Sequence, residues 1–388
     1  MFHFMKNKVV IFLSYIILFF NTNLLSSENN KTLKIGLLAP LTGEYAELGK
    51  SLLYSLQLAL DEINDNNVFI IPRDAGFNDK TKLNLAVQEI KDAGANIIIG
   101  PLSNEEFDNV KKYNDLIFIS PSNISPEFTS NIISVGVSLE SQLLSLNSFI
   151  KRQNKKKTII MFPENQYTKF IEKKLDKLDL NNFKIFKYNP DPQVLTGEIE
   201  TLTNYSQRKK NLELRKKMFQ DKEDEQSIKE LERLEQLYTL GKVNFDSVII
   251  IDFGNNLKSV LTSLVYTDVN QKDVLITTVN QWFDESIFYE NTIKTLYYPS
   301  INYKEFKKYN DKYFKKFASY PNEITILTYD ALGLIYYAWK KNGKINSIND
   351  FLFKSKIKGK IGTFSFKDRR VFQDLNIYKT ENKQFTKF

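Results

Sequence analysis

A chain of 388 residues, 42% hydrophobic and 26% charged, is long enough to bury more than one core and too apolar to stay disordered, so two globular lobes are expected. It has no cysteine and a single histidine, His3, which excludes disulfides, thiol nucleophiles, cysteine-linked lipid anchors, Ser-His-Asp sites and the usual zinc ligands; no metal or cofactor is expected. The formal charge of +8 is spread along a sequence rich in Lys, Asn, Ile and Phe, without the clustered basic face that nucleic acid requires.

Lys6 and Lys8 precede an apolar run over residues 9–20, followed by polar residues 21–23 and small Ser26 and Ser27. The run is short for a bilayer span, and residues 1–27 read as a secretory signal peptide; an uncleaved amino-terminal anchor is the alternative. Either places the rest outside the cytoplasm. The expected location is the periplasm, as a free protein and not a lipoprotein, with no span in the mature chain.

Residues 35–39 form a short unalternating apolar run, the mark of a strand buried on both faces. Pro40, Thr42 and Gly43 break it, and Leu48, Leu52, Leu56, Ala59 and Ile63 then recur at helical spacing. This strand, exit loop and helix unit repeats. Strands are expected at 68–71, followed by a break from Pro72 to Gly76, and at 96–99, 116–119 and 132–135, with helices between them. The pattern restarts with a helix over 141–152 and strands at 158–162, 183–188, 246–251 and 274–277. Such alternation predicts parallel sheets flanked by helices. Ligands in these folds sit at the loops leaving the carboxyl ends of the strands.

Residues 206–241 differ in character, being dense in Lys, Arg, Glu and Asp. Leu212, Met218 and Phe219, then Ile228, Leu231, Leu234 and Leu237, form narrow helical stripes, so a charged helical hairpin inserted in the second lobe is expected. It is either a solvated arm or a docking surface. Lysine runs such as 155–157, and Lys173 with Lys174, read as solvated edges. Residues 321–343 carry Tyr329, Leu332, Ile335, Tyr336 and Trp339 on a helix as a core face. A hairpin over 358–366 is expected to end the fold.

The opening KIGLLAPLTGEYAELG, the block DAGANIIIGPLSN at 92–104, FISPSN at 118–123 and LTYDALGLIYYAW at 327–339 together resemble the type I periplasmic binding proteins, whose familiar members bind leucine, isoleucine and valine. The resemblance implies two α/β lobes joined by three crossings, with the ligand held between them. The first lobe would take 32–145 plus 298–343, and the second 146–297 plus 344–388. A small polar ligand would meet the exit-loop groups Thr42, Tyr45, Ser103, Asn104, Ser122, Asn123, Tyr167, Asn280 and Gln281, with Trp282 as a stacking platform. The plain alternative is that these residues cap helices and close turns, as Ser, Thr and Asn often do.

The amino-acid clamp of the family is incomplete here. Ser103 matches the serine that meets a ligand carboxylate, and Tyr167 matches a second-lobe tyrosine. However, Ile124 stands where a threonine is expected, Phe253 where a tyrosine is, and uncharged Asn280 and Gln281 where an acid would hold an ammonium. A desolvated ammonium without a counter-charge is costly. The run from IIPRDAGFNDK to GPLSNEEF at 70–107 and the charged insertion before TLGKVNFDSVII resemble the penicillin-binding-protein activators, which contact a peptidoglycan synthase. Familiar activators are lipoproteins, and this chain offers no cysteine to acylate. The expected function is therefore a non-enzymatic regulator of peptidoglycan synthesis. The alternative is the substrate-binding component of an ABC transporter for amino acids or another small polar solute, whose partner would be the permease.

Overall fold

The computed structural model describes residues 32–123, 131–178, 180, 183–289, 295–359, 362–367, 370–381 and 383–388. The expected signal peptide and Ile124 lie outside these residues, as does the side chain of Asn104.

Strand β1 (Leu33–Ala39) is buried at every position but Lys34. Helix α1 (Ala46–Ile63) lays Leu52, Leu56 and Ala59 against it and stops at left-handed Asn64. β2 (Val68–Asp74) continues through Pro72 to Asp74, where the sequence reads as a break. The reason is its place at the sheet edge, where a proline costs no ladder bond. Next come α2 (Lys80–Asp92), capped by the Asp79 carboxylate, β3 (Ile97–Ile99), α3 (Asn104–Val110), β4 (Ile117–Ser120) and β5 (Ile132–Ser134). The five strands are all parallel, in the order β2-β1-β3-β4-β5.

The chain then crosses to a second sheet through α4 (Leu139–Arg152), β6 (Thr158–Pro163), α5 (Thr168–Asp176) and β7 (Phe183–Tyr188). Three helices follow before the sheet resumes: α6 (Pro192–Thr203), α7 (Tyr205–Gln220) and α8 (Glu225–Glu235). β8 (Ser247–Ile250), α9 (Gly254–Tyr266), β9 (Leu275–Thr278) and β10 (Leu296–Ser300) continue it. α10 (Tyr303–Phe317) and α11 (Ile326–Asn342) return to the first lobe. There α11 buries Leu332, Ile335 and Trp339 together with Leu52 and Leu56 of α1, the core face its spacing implies.

A small antiparallel sheet of β11 (Ile357–Lys358), β12 (Thr363–Lys367) and β13 (Arg370–Gln373) contains the expected hairpin. It does not end the fold. β14 (Asn376–Glu381) pairs antiparallel with β10, and β15 (Gln384–Lys387) pairs with β14, giving the order β15-β14-β10-β9-β8-β6-β7.

The inserted helices are fastened by Arg208, only 6% exposed. Its guanidinium donates to the carbonyl oxygens of Gly241 at 3.1 Å, Thr267 at 3.0 Å and Asp268 at 2.9 Å, and to Thr239 Oγ1 at 2.7 Å. Leu212 and Leu234 are buried, whereas Met218 and Ile228, expected in the seam, are exposed. A single buried arginine meeting four oxygens does the work assigned to a longer apolar stripe.

Candidate functional site

The exit loops of the first sheet are held by their own polar groups. Asp74 accepts from Thr42 Oγ1 at 2.5 Å, from the backbone N–H of Leu41 at 2.9 Å and of Gly76 at 3.1 Å, and from Lys82 Nζ at 3.3 Å. Partial burial pushes its carboxyl up, but these donors prevail and hold it at about 2. Tyr45 stacks on Phe77 with ring centroids 4.2 Å apart and remains half-exposed.

Ser103 is the N-cap of α3. Its Oγ donates to Asn78 Oδ1 and accepts from the Glu106 N–H at 3.3 Å, while the Glu106 carboxylate accepts the N–H of Leu102 and of Ser103. This is a reciprocal capping box. Ser122 is buried: its N–H donates to Ser120 Oγ, and its carbonyl accepts from Ser134 Oγ at 2.8 Å. Asn123 Oδ1 accepts the N–H of Val137 at 2.8 Å.

In the second lobe Tyr167 opens α5 without capping it through its side chain, and its ring is 59% exposed. Gln281 is buried, and its amide donates to the carbonyls of Asp252 at 3.1 Å and Val279 at 3.2 Å. Asn280 Oδ1 accepts the N–H of Trp282 at 3.0 Å. Trp282 and Phe283 are both left-handed, with φ of 50° and 60°. For bulky side chains that backbone stores of order 1–3 kcal/mol each. Its anchor is Phe283, buried among the rings of Tyr298, Tyr303, Phe306, Tyr378 and Phe385.

Three functional candidates escaped the sequence reading. Gln142 and Gln373 are buried where the chain first crosses between lobes: Gln142 bonds Val137 O and the Asn280 N–H, while Gln373 donates from Nε2 to Val135 O at 2.6 Å and from its backbone to Ser141 Oγ at 3.2 Å. The third is Asp252, at the exit of β8, which accepts from Tyr188 OH at 2.5 Å and from the Phe253 N–H at 2.8 Å. Burial raises its carboxyl above the ordinary range against the pull of these donors. Its only sequence signal was its place after an apolar strand.

The structure thus brings Asn123, Asn280 and Trp282 into one network with the crossing, and leaves Thr42, Tyr45 and Ser103 in separate local clusters of the first lobe. Two concavities, about 420 Å³ beside Arg208 and about 400 Å³ between α4 and β13–β14, are lined by none of the expected site residues. Among the described residues no group of His, Cys, Asp and Glu gathers as metal ligands would, and no helix is long and apolar enough to cross a membrane.

Residues 32–177 match the model of the periplasmic binding protein family, and the two helix-flanked sheets extend that likeness over the rest. The matched stretch, under half of the chain, is similar to the periplasmic binding proteins. No curated protein matches the sequence. Among solved structures of the fold, full-length LpoA from Haemophilus influenzae superposes with a TM-score of 0.63 at 14% identity, covering 92% of this chain and 59% of that one. The C-domain of the same protein, described as a regulator of PBP1A, gives 0.61 at 14% identity, covering 92% and 99%. LivJ of Streptococcus pneumoniae, a branched-chain amino acid transporter substrate-binding protein solved with isoleucine, gives 0.52 at 16% identity, covering 92% and 100%. The chain therefore spans little more than half of full-length LpoA and nearly the whole of its C-domain.

Proposed function

We propose that this chain is a member of the periplasmic binding protein fold that serves as a non-enzymatic, periplasmic regulator of peptidoglycan synthesis, acting by contact with a synthase, with its cleft no longer serving nutrient capture. One observation carries the reading: the side chains placed to meet a ligand are committed within the chain. Ser103 is spent on a helix cap and on Asn78, Asn123 on Val137, and Gln281 on the Asp252 and Val279 carbonyls. A ligand carboxylate would have to break such bonds before making its own, at about 1 kcal/mol for each neutral bond lost. The acid that would hold an ammonium is absent from Asn280 and Gln281, and the buried acid nearest in sequence, Asp252, is engaged by Tyr188.

A solute receptor is the second reading. It is favoured by the exposed rings of Tyr45, Tyr167 and Phe253 on exit loops of both lobes. A thermal-shift series with amino acids, organic acids and peptidoglycan fragments, run beside a binding assay with the synthase ectodomain from the same cell, separates the two. A nutrient at a hundredfold excess over its dissociation constant would stabilise by about 2.7 kcal/mol. Silence with nutrients and saturable binding to the synthase are the expected results. A clear shift with a free amino acid, without synthase binding, would overturn the reading.

A further inference from the structure

Helix α7 has two faces and its own protein covers only one. Arg208 and Leu212 are buried, and Tyr205 and Phe219 are half-buried on the same side. On another side Gln207, Asn211, Leu214 and Met218 follow one another at spacings of four, three and four, the rhythm of a coiled-coil seam. All four are exposed, and Leu214 and Met218 are each 61% exposed. Lys210 and Lys217 flank this seam along one border, and Arg215 stands on the other, over the Phe219 ring. Among the described residues Lys210 and Lys217 make no ion pair. Neighbouring α8 spends its charges internally, Lys229 on Glu225 and Arg233 on Glu230.

We infer that this face of α7 docks an acidic amphipathic helix of the partner protein, which lays an apolar stripe on Leu214 and Met218 and sets Asp or Glu beside Lys210 and Lys217. The assignment rests on the regulatory reading above and names the surface through which it works. Three features favour a helix over a lipid surface. The seam has coiled-coil spacing, it contains the amides of Gln207 and Asn211, which bond each other at 2.9 Å and keep further donors and acceptors to give register, and its apolar part is too narrow to enter a bilayer. Arg208 presents the face rigidly, so little ordering entropy opposes docking.

The test measures binding of the full secreted chain to the synthase ectodomain for the native protein, for Leu214→Ser with Met218→Ser, for Lys210→Glu with Lys217→Glu, and for Lys184→Glu as a charge control on β7. Each double variant should weaken binding by about tenfold or more, with unchanged circular dichroism and melting temperature, and the control should bind normally. Added salt should slow association of the native protein and lose that effect in the lysine variant. Synthase binding that is equal in all variants overturns the docking face while leaving the regulatory reading intact. Absence of synthase binding by the native chain overturns both. Vesicles of phosphatidylglycerol and phosphatidylethanolamine form a separate arm: capture by them that the double variants abolish would make α7 a membrane contact and overturn the helix-docking assignment.

Discussion

Gln142 and Asn280 are joined across the foot of the second lobe: the Gln142 side-chain oxygen accepts the Asn280 N–H at 2.7 Å while its amide donates to Val137 O at 2.9 Å. Asn123 reaches the same crossing from the first lobe, through its bond to the Val137 N–H. One buried side chain therefore ties the crossing at Val137 to the exit loop at Asn280. Gln142→Leu leaves the Asn280 N–H and the Val137 carbonyl without these partners, and should cost about 2–4 kcal/mol in urea unfolding. Small-angle scattering should show a broader distribution of shapes in the variant. An unchanged midpoint would mean that the tie is dispensable.

Asp74 supplies an acid-sensitive contribution. Its folded value of about 2 lies below the ordinary 3.8, so its ionised form stabilises the fold above about pH 4, and that contribution fades as pH falls toward 2. Asp74→Asn should lower stability at pH 7 by about 1–2 kcal/mol, allowing for its partial exposure. The difference from the native protein should shrink toward pH 2. A constant difference from pH 7 to pH 2 would refute the linkage.

Asp252 has the opposite sign. Its carboxyl is raised by burial, so the folded state holds its proton more tightly than the unfolded chain, and ionisation weakens the fold as pH rises past the ordinary carboxylate range. Asp252→Asn, which keeps an acceptor for Tyr188 OH, should be at least as stable as the native protein at pH 7 and should lose that advantage near pH 3. Chemical denaturation at the two pH values decides.

Lys174 and Glu140 form a buried pair between α5 and α4, with N–O at 2.5 Å and side chains 11% and 7% exposed. Removing one partner strands the other, so Lys174→Met should cost about 3–5 kcal/mol. Adding Glu140→Leu to it should restore most of the loss, since well-packed apolar pairs often replace buried ions at little cost. A double variant no better than the single would show that the pair also carries a packing role.

The strands that could be read from the sequence were those buried on both faces, such as residues 35–39 and 97–99, where an apolar run leaves no other reading. β10 and β14 escaped because LYYPS and NIYKTE mix aromatic and polar residues. Their identity as strands depends on pairing between positions as distant as Leu296 and Thr380. α10 carried a readable signal in Phe306, Tyr309 and Tyr313, all buried, hidden among its lysines. At the site, residue types were legible and their commitments were not. Ser103 looks the same in sequence whether it faces a ligand or caps α3, and nothing near Trp282 announces a left-handed backbone. Gln142 and Gln373 are ordinary polar residues until the crossing buries them.

The pairing of β14 with β10 also dictates an order of events. A ribosome releases β10 some eighty residues before its antiparallel partner, for Leu296 meets Thr380 only when β14 has emerged. Throughout that interval one side of β10 is an open strand border, the kind of surface that recruits foreign strands. The second sheet thus gains its last two strands, β14 and β15, only after α10 and α11 have already been made. Truncations that remove β14 and β15 should yield chains whose first lobe is formed and whose β10 border aggregates, giving this architecture a vulnerability to premature termination.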